Sequence, residues 1–158
     1  MSPFFKIAFI LFGIITSSAF AQSKNMVTVK GGTYIPLYGV DSTAVTVEDF
    51  IMDVYPVTNK QYLKFVQEFP EWQRSNVKKL FADGNYLVNW ESDDSFENQL
   101  DPNAAVTNVS WFAAKKYCEC QGKRLPTLDE WEYAAMADQN SPDARKKETY
   151  NQLILDWF

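Results

Sequence analysis

The stretch from Asn108 to Ala137 constrains the fold of this chain more than any other segment, because capping residues mark the ends of its helices. Ser110 suits an N-cap, since its hydroxyl can accept a hydrogen bond from a backbone N–H of the first turn. Gly122 suits the left-handed position that follows a helix. The pattern therefore predicts a helix over 111–121.

A second helix follows the short extended link Leu125-Pro126. Thr127 and Glu130 form a capping box, in which each side chain accepts a hydrogen bond from the backbone N–H of the other residue. This pattern predicts a helix over 128–137.

The spacing of the apolar residues indicates which side chains of these helices face the core. We expect Lys115 and Lys116 to face solvent. The residues predicted to point inward are Trp111, Ala114, Tyr117 and Cys118 on the first helix, and Trp131, Ala134 and Ala135 on the second.

The N-terminal part of the chain alternates as β-strands do. Residues 26–29 and 33–35 flank Gly31-Gly32, which predicts a β-hairpin with a glycine turn. Two more extended segments are predicted over 44–47 and 50–53. Short strands followed by short helices indicate an α+β domain.

Another capping box, from Thr58 to Gln61, predicts a helix over 59–68. Its apolar residues Tyr62, Phe65 and Val66 recur at helical spacing, so they should form its buried face.

The remaining segments carry weaker signals. Residues 71–81 are predicted as a second, weaker helix and residues 82–105 as a long ordered loop. Ser141-Pro142 predicts the start of a further helix, with proline at its first position and helical character up to Leu153.

The first 21 residues show the three parts of a secretory signal peptide. Lys6 is basic, Ile7–Ile15 is apolar, and Ala19-Phe20-Ala21 fits a signal-peptidase site. The alternative, a transmembrane anchor, needs about 20 apolar residues, and this run is shorter. We therefore expect a signal peptide over 1–21, export to the periplasm or cell exterior, no membrane association after cleavage, and a mature domain over 22–158.

Composition narrows the possible chemistry. The chain has 15 basic and 20 acidic residues, a net charge of −5, which disfavours nucleic acid and anionic membranes as main partners. It has no histidine, so a histidine-based triad or a histidine-ligated metal cannot come from this chain. Export would take its two cysteines into an oxidising compartment.

Several short motifs are weak candidates for a site. Cys118 and Cys120 are separated by one residue, and side chains at that spacing on a helix point about 200° apart, so they cannot clamp one ion. A buried or disulfide-bonded Cys118 beside a separate Cys120 is favoured. Gly31-Gly32 precedes a strand, which disfavours a phosphate-binding loop. Asn108-Val109-Ser110 is a glycosylation sequon, which the capping role of Ser110 also explains.

Carboxylates and tryptophans supply the other candidates. Glu130 and Glu132 could form an acid–base pair, but Glu130 already caps a helix and side chains at i and i+2 diverge. An oxygen-rich loop lacks EF-hand spacing, so solvated side chains are favoured over calcium ligands at Asp93, Asp94, Asp101 and Asn103. We expect four tryptophans in the core, at Trp72, Trp90, Trp111 and Trp131. These patterns assign no catalytic, cofactor-binding or metal-binding residue.

Three ordered blocks resemble the sulfatase-modifying-factor, or formylglycine-generating-enzyme, family. Residues 26–34 are similar to the family's opening strand and turn, and residues 47–62 to its second block, which ends in P-V-T-N-x-x-Y. Residues 106–135 resemble its most diagnostic block, with N-V-S-W, Y-C, G-K-R-L-P-T and E-W-E-Y-A-A. The three blocks cover nearly the whole of 22–158.

The resemblance implies an irregular fold related to C-type lectin-like domains, with short strands and a few short helices. It also implies the family's reaction, in which molecular oxygen and a copper ion held by two cysteines oxidise a cysteine of a sulfatase to Cα-formylglycine. The copper ligands and most calcium ligands of the family belong to a second half that would follow Phe158. We therefore expect copper and calcium in the intact family domain and no cofactor in this chain.

Some positions depart from the family pattern. Cys118 matches a cysteine that in some members pairs with a later cysteine, whereas Cys120 stands where tryptophan is usual. Ile35 to Gly39 replaces the F-x-M-G of many members. The apolar end, Leu153 to Phe158, predicts packing against a following segment, so we expect a truncated domain; the alternative is a C-terminal helix that docks into the core.

Two functional hypotheses follow. The first is an oxidative enzyme that acts on cysteine in an exported protein substrate, and it needs the cysteine pair of the family's second half. The second is a non-catalytic envelope module that binds a partner or supports structure on the same fold. For residues 22–158 alone we expect no independent activity, and the sequence predicts no oligomeric state.

Overall fold

The structure, a computed structural model, describes residues 25–37, 43–96 and 100–155, so the predicted signal peptide lies outside it. It is a small α+β domain, as predicted. The strands are β1 (Met26–Val29), β2 (Gly32–Tyr34), β3 (Val45–Val47) and β4 (Phe50–Asp53). The helices are α1 (Asn59–Glu68), α2 (Trp111–Cys120), α3 (Leu128–Ala135) and α4 (Glu148–Leu155), with a 3₁₀ turn at Pro70–Trp72. None of the described helices has the length and apolar character needed to cross a membrane.

The strands pair differently from the predicted hairpin. β1 pairs with β4 and β2 with β3, both antiparallel, so that Gly32 lies opposite Val47. The predicted pairing of 26–29 with 33–35 is therefore wrong. These two segments follow each other on one side of a ladder of hydrogen bonds that is interrupted between them, and residues 45–53 form the other side.

Gly31 explains the difference, because it lies where the ladder is interrupted. A Cβ atom on Gly31 would lie 2.1 Å from the carbonyl oxygen of Val47, so the two backbones can approach this closely only at a glycine. Asp49 reinforces the contact by accepting hydrogen bonds from Gly31 N at 2.9 Å and from Lys30 Nζ at 2.6 Å. The glycine marks a close backbone contact and not a turn.

Helix α1 has the predicted bounds. The Thr58 side chain accepts from Gln61 N, and Gln61 Oε1 accepts from Thr58 N at 2.8 Å, which completes the capping box. The predicted inward residues Tyr62, Phe65 and Val66 are all buried. Local capping and apolar spacing are sufficient to define this helix.

The main hydrophobic cluster surrounds α1. It joins this helix to α2 and to the irregular segment 82–90, and its other buried members are Ala82, Tyr86, Leu87, Trp90 and Ala113. Trp90 is 1% exposed and Trp72 packs against the cluster, so both are core tryptophans as predicted. The segment predicted as a loop therefore supplies much of the core, although it has little regular structure.

Asn59, the first residue of α1, is completely buried and fully hydrogen-bonded. Its Oδ1 accepts from Trp90 Nε1 at 3.3 Å. Its Nδ2 donates to the carbonyl of Asp101 at 3.0 Å and to that of Ala104 at 3.3 Å. One amide thus connects a helix, a core tryptophan and a loop.

Two buried tyrosines form a second polar contact within the main cluster. Tyr86 Oη donates to the Trp72 carbonyl at 2.8 Å, so the Tyr62 hydroxyl, 3.0 Å away, donates to Tyr86. Burial raises the pKa of Tyr86 to about 12 and also raises the pKa of Tyr62. Both hydroxyls therefore stay protonated and act as fixed hydrogen-bonding groups.

A second hydrophobic cluster joins the strands to α3. Its buried members are Tyr34, Val47, Phe50 and Met136. The Tyr34 ring meets the Tyr133 ring edge-on at 5.7 Å, and the Tyr34 hydroxyl donates to Asp129 Oδ1 at 2.9 Å. These contacts fix α3 against the strands.

Helices α2 and α3 begin where the sequence predicts and end slightly earlier. Ser110 caps α2, and Gly122 has the predicted left-handed conformation, with φ of 66°. The capping box from Thr127 to Glu130 is formed at the start of α3.

The predicted orientation of two tryptophans is wrong, because Trp111 and Trp131 are each 60% exposed. The core side of α2 carries Ala113, Tyr117 and Cys120 instead. The small side chain of Ala113 lets α2 pack closely against the main cluster, which turns the bulky first residue outward.

The other predicted inward residues differ in burial. Ala114, Tyr117, Cys118 and Ala134 are half-buried, and Ala135 is exposed. On α3, Tyr133 and Ala134 contact the second cluster, since the aromatic contact with Tyr34 decides which face turns inward.

The weaker helix predicted over 71–81 is largely absent from the described structure. Only Pro70–Trp72 is helical, as a single 3₁₀ turn. The side chain of Asn76 donates to the Pro70 carbonyl at 3.1 Å, a side-chain to backbone bond that competes with helical pairing.

The last helix starts later than predicted from Ser141-Pro142 and spans Glu148–Leu155. Asp143 Oδ1 accepts from Arg145 N at 3.1 Å, which favours a turn in place of the first helical turn.

We predict that Asn59→Ala lowers the free energy of unfolding by about 3 kcal/mol, because it removes three hydrogen bonds and leaves Trp90 Nε1 buried without an acceptor. Denaturant unfolding measures the change. Asn76→Ala is the matched control: Asn76 donates to Pro70 and Gln73 but is exposed, so we expect a loss below about 1 kcal/mol. Equal losses in the two variants would contradict a central role for Asn59.

Candidate functional site

The two cysteines lie on α2 in different surroundings. Cys120 packs against the main cluster, whereas Cys118 lies near the ion pair of Lys123 and Asp53, whose Nζ and Oδ1 atoms are 2.7 Å apart. Both thiols are free, and burial raises the pKa of Cys118, which disfavours the thiolate that binds metals. The two cysteines of this chain do not fit a shared copper ion while α2 is folded.

The oxygen-rich loop residues serve local structure. Asp93 Oδ1 accepts from Ser75 N at 2.8 Å, and Asp101 Oδ1 accepts from Asn103 N at 2.8 Å. Asp94 accepts a hydroxyl hydrogen bond within its own turn. In the part of the chain that the structure describes, no three side chains of His, Cys, Asp or Glu come together to hold a metal ion.

Glu130 and Glu132 have separate partners. Glu130 accepts two hydrogen bonds from the Arg124 guanidinium at 2.6 Å and one from Thr127 N at 2.8 Å. The Arg124 guanidinium lowers the pKa of Glu130 to about 2. Glu132 accepts instead from the backbone N–H of Leu37. The two carboxylates thus act in helix capping and loop attachment and do not form an acid–base pair.

A strained backbone crossing lies just before α2. Leu87 and Asn108 both have left-handed conformations, with φ of 49° and 55°, and Leu87 N donates to Asn108 O at 2.8 Å. Each such conformation costs a residue other than glycine about 1–2 kcal/mol. Ser110 Oγ accepts from Ala113 N at 3.2 Å two residues later, so the sequon serine has the predicted capping role. The crossing fixes the direction in which the chain enters α2.

An open groove of about 570 Å³ lies beside this crossing; we call it the first groove. Segment 79–86 lines one side and segment 108–112 the other. Three large apolar side chains on its walls are exposed: Leu80, Trp111 and Phe112. Asp83 and Asn85 add polar groups. The groove therefore combines apolar contact area with hydrogen-bonding groups, as binding sites do.

A second groove of about 210 Å³ shares Trp111 with the first. It is lined by Trp111, Lys115, Glu119, Arg124 and Leu125-Pro126. The Lys115 ammonium lies 5.4 Å from the centre of the Trp111 ring. We call the two grooves, which share Trp111, the Trp111 surface.

Aromatic contacts connect the Trp111 surface to the core. Trp111 meets Phe112 at 5.3 Å between ring centres, and Phe112 meets Phe81 at 5.3 Å. Phe81 then contacts Trp72 at 6.0 Å, and Trp72 contacts the buried Phe65 at 6.4 Å. A continuous path of rings therefore supports the exposed indole.

The sequence pattern did not predict this surface, because the helical spacing assigned Trp111 to the core. One feature of the sequence indicates that an aromatic ring is exposed here. Trp111 and Phe112 are adjacent, and neighbouring residues on a helix point about 100° apart, so both rings cannot face the same core.

The comparisons with known proteins agree with the resemblance noted in the sequence. The family model described as sulfatase-modifying factor enzyme 1-like domain matches residues 12–152, which include every described strand, α1 to α3 and the Trp111 surface. The chain is 29% identical to the inactive C-alpha-formylglycine-generating enzyme 2 of Bos taurus over 85% of this chain and 56% of that protein.

Two other relatives show a similar identity and also match only in part. The protein of the same name from Mus musculus is 31% identical over 73% of this chain and 48% of its own length. The formylglycine-generating enzyme of Bos taurus is 28% identical over 57% of this chain and 31% of its own length. The chain thus spans about half or less of the length of these curated relatives.

The Arg124–Glu130 pair borders the second groove and predicts an acid dependence of stability. Because the pKa of folded Glu130 is about 2 and its ordinary value is 4.5, its stabilisation is present above about pH 4.5 and is lost as the pH falls towards 2. We expect Glu130→Gln to lower the free energy of unfolding near neutral pH, by an amount that shrinks over this range.

Denaturant unfolding at several pH values measures the difference between the parent chain and the variant. Arg124→Ala should show the same trend, since it removes the partner that lowers the pKa. A difference that stays constant between pH 4.5 and 2 would contradict the assignment.

Proposed function

The chain belongs to the family of sulfatase-modifying factor enzyme 1-like domains, and on this premise we propose that it is an exported formylglycine-generating-enzyme-like domain that binds a protein partner. The observation that carries the proposal is the Trp111 surface, where one exposed tryptophan lines two grooves. Tryptophan is enriched among the few residues that supply most of the binding energy in protein interfaces.

The surface is organised before a partner arrives. The aromatic path through Phe112 and Phe81 holds the Trp111 ring, and the backbone crossing at Asn108 holds one wall of the first groove. A rigid surface loses little conformational entropy on binding, so more of the contact energy appears as affinity.

The proposed role is binding without oxidation of the partner. The resemblance assigns the two copper-binding cysteines to another part of the family domain. Cys118 and Cys120 diverge on α2 and face different surroundings, so they do not replace that pair. The similarity to two proteins named inactive C-alpha-formylglycine-generating enzyme 2 also supports this choice.

A second candidate function is oxidation of a cysteine in a sulfatase. The similarity to the formylglycine-generating enzyme of Bos taurus favours it. In that case the Trp111 surface would belong to the recognition part of a larger domain, and the copper-binding cysteines would come from residues other than 22–158.

A neutral, fluorescein-labelled peptide with one Trp-Leu pair tests the binding role by fluorescence anisotropy. We predict that Trp111→Ala weakens its binding to the full chain about tenfold or more, because the central contact is lost. Trp131→Ala is the matched control, since Trp131 is as exposed as Trp111 but lines neither groove. If the two variants lose affinity equally, the Trp111 surface is not the binding site.

A second assay tests whether this chain oxidises a cysteine by itself. The full chain is incubated with copper, oxygen and a cysteine peptide from a sulfatase, and an active formylglycine-generating enzyme serves as the positive control. We expect mass spectrometry to detect no formylglycine in the peptide after incubation with this chain. Its appearance, beyond a reaction without protein, would overturn the non-catalytic role.

Export is proposed from the signal pattern of residues 1–21. We predict that N-terminal sequencing of the processed chain starts near Gln22. Ala21→Leu should block processing, because signal peptidase needs a small residue there. Recovery of a mature chain that still begins at Met1 would contradict the proposal.

A further inference from the structure

Residues 78–80 form an exposed basic segment outside the helices and strands. Lys78 and Lys79 are both exposed, and Leu80 is 79% exposed. Neither lysine forms an ion pair with any residue in the described ranges. An endopeptidase that cleaves after lysine needs such a side chain free to enter its specificity pocket. The segment therefore meets the side-chain requirement of a cleavage site.

The backbone of this segment is equally accessible. In the part of the chain that the structure describes, the N–H and C=O groups of Lys79 and Leu80 form no hydrogen bond. The nearest backbone bonds are those of the Lys78 carbonyl, which accepts from Phe81 N at 2.8 Å and from Ala82 N at 3.3 Å. Opening these two bonds extends the chain around the Lys79–Leu80 bond, which costs far less than global unfolding.

The core holds the chain firmly on both sides of the segment. Trp72 and Val77 pack against the main cluster before it, and Ala82 and Tyr86 are buried members of that cluster after it. Local opening is therefore confined to a few residues between two anchored flanks. Short exposed turns of this kind are preferred sites of proteolytic cleavage.

Basic residues elsewhere are less accessible, because secondary structure or a side-chain contact holds them. A protease would have to unwind α1 or α2 to reach the lysines that they carry. In the described loops, side-chain contacts hold Lys30 to Asp49, Arg74 to the Trp90 carbonyl, Lys123 to Asp53 and Arg124 to Glu130.

The basic run 145–147 is the strongest competitor, and it is also attached. Arg145 Nη1 donates to the Ile35 carbonyl at 2.8 Å. Lys147 Nζ lies 2.9 Å from Asp138 Oδ2. Two of the three side chains in this run are therefore engaged, whereas Lys78 and Lys79 have no such contact in the described ranges.

We propose that the peptide bond between Lys79 and Leu80 is a processing site for an endopeptidase that cleaves after lysine. Hydrolysis adds one water molecule across this bond, so that Lys79 gains a carboxylate and Leu80 a free ammonium group. The inference goes beyond the proposed binding function and does not depend on it.

The product is a domain of two chains that stay together. The Asn59 amide bonds Trp90 and the carbonyls of Asp101 and Ala104 across the cut. The main cluster likewise contains buried residues from both sides of it. Cleavage changes the first groove, because residues 79 and 80 line it and the cut places two new charged ends there.

Limited digestion of the full chain with trypsin under native conditions tests the site. Within residues 25–37, 43–96 and 100–155, we expect the first cut after Lys79, identified by mass spectrometry of the fragments. The cut protein should elute as one species in native size-exclusion chromatography and separate into two chains in denaturant. A first cut after another basic residue in these ranges would overturn the site. Separate elution of the fragments in native buffer would overturn the two-chain domain.

Two double variants show whether the fold selects this bond. Lys78→Gln combined with Lys79→Gln should slow the first cut about tenfold or more, because the segment then offers no lysine. Its unfolding midpoint should change little, since both side chains are exposed and unpaired in the described ranges.

Lys115→Gln combined with Lys116→Gln is the matched control, because it removes another pair of adjacent lysines, which lies within α2. We expect this variant to be cut after Lys79 as fast as the parent chain. Equal slowing in the two double variants would contradict the proposal, since the effect would then follow from the loss of positive charge and not from the position of the segment.

Discussion

The hydrogen bonds of the Asn59 side chain are the interaction on which the rest of the fold depends. This one buried amide links the start of α1 to the indole of Trp90 and to the carbonyls of Asp101 and Ala104. Between residues 73 and 110 the described chain has no helix or strand longer than an isolated bridge. A regular ladder of hydrogen bonds therefore cannot set the path of this segment. Because an unpaired buried amide or indole costs more than each bond gains, the contact selects one arrangement of the loop.

The position of the Trp111 surface follows from this arrangement. Burial of Trp90 brings the neighbouring Leu87 into the core, and Leu87 donates to Asn108 across the strained crossing. Only Val109 separates the crossing from the Ser110 cap, and Ala113 in the first turn of α2 packs into the main cluster. The first residue of α2 is consequently directed to solvent. The exposure of Trp111 is a result of how the loop is anchored and not of low hydrophobicity.

The starts of α1, α2 and α3 could be predicted because capping is a local interaction. The boxes at Thr58 and Thr127 and the Ser110 cap all form as their sequence patterns indicate. The face that α2 buries could not be predicted, since Ala113 faces inward only because the aromatic residues of α1 lie opposite it. The strand pairing was predicted wrongly for the same reason, because the role of Gly31 depends on its contact with the backbone of Val47, which lies later in the chain. The candidate site was missed because it is defined by exposure, which depends on tertiary packing.

The face of α2 that packs into the core is opposite to the face of the proposed binding surface, and this separation bears on what the family pattern means. Ala113 and Tyr117 face the main cluster, whereas Trp111 faces the grooves. The pattern that marks the family is therefore required for the cap and the core whether or not a partner is oxidised. The resemblance assigns the copper-binding cysteines to another part of the family domain, and the helix directs Cys118 and Cys120 apart, so these two thiols do not replace them. Binding needs only a rigid exposed ring, which the aromatic path through Phe112 provides. The residues of α2 therefore meet the requirement of the proposed binding role. They do not supply the pair of converging thiols that oxidation through copper needs.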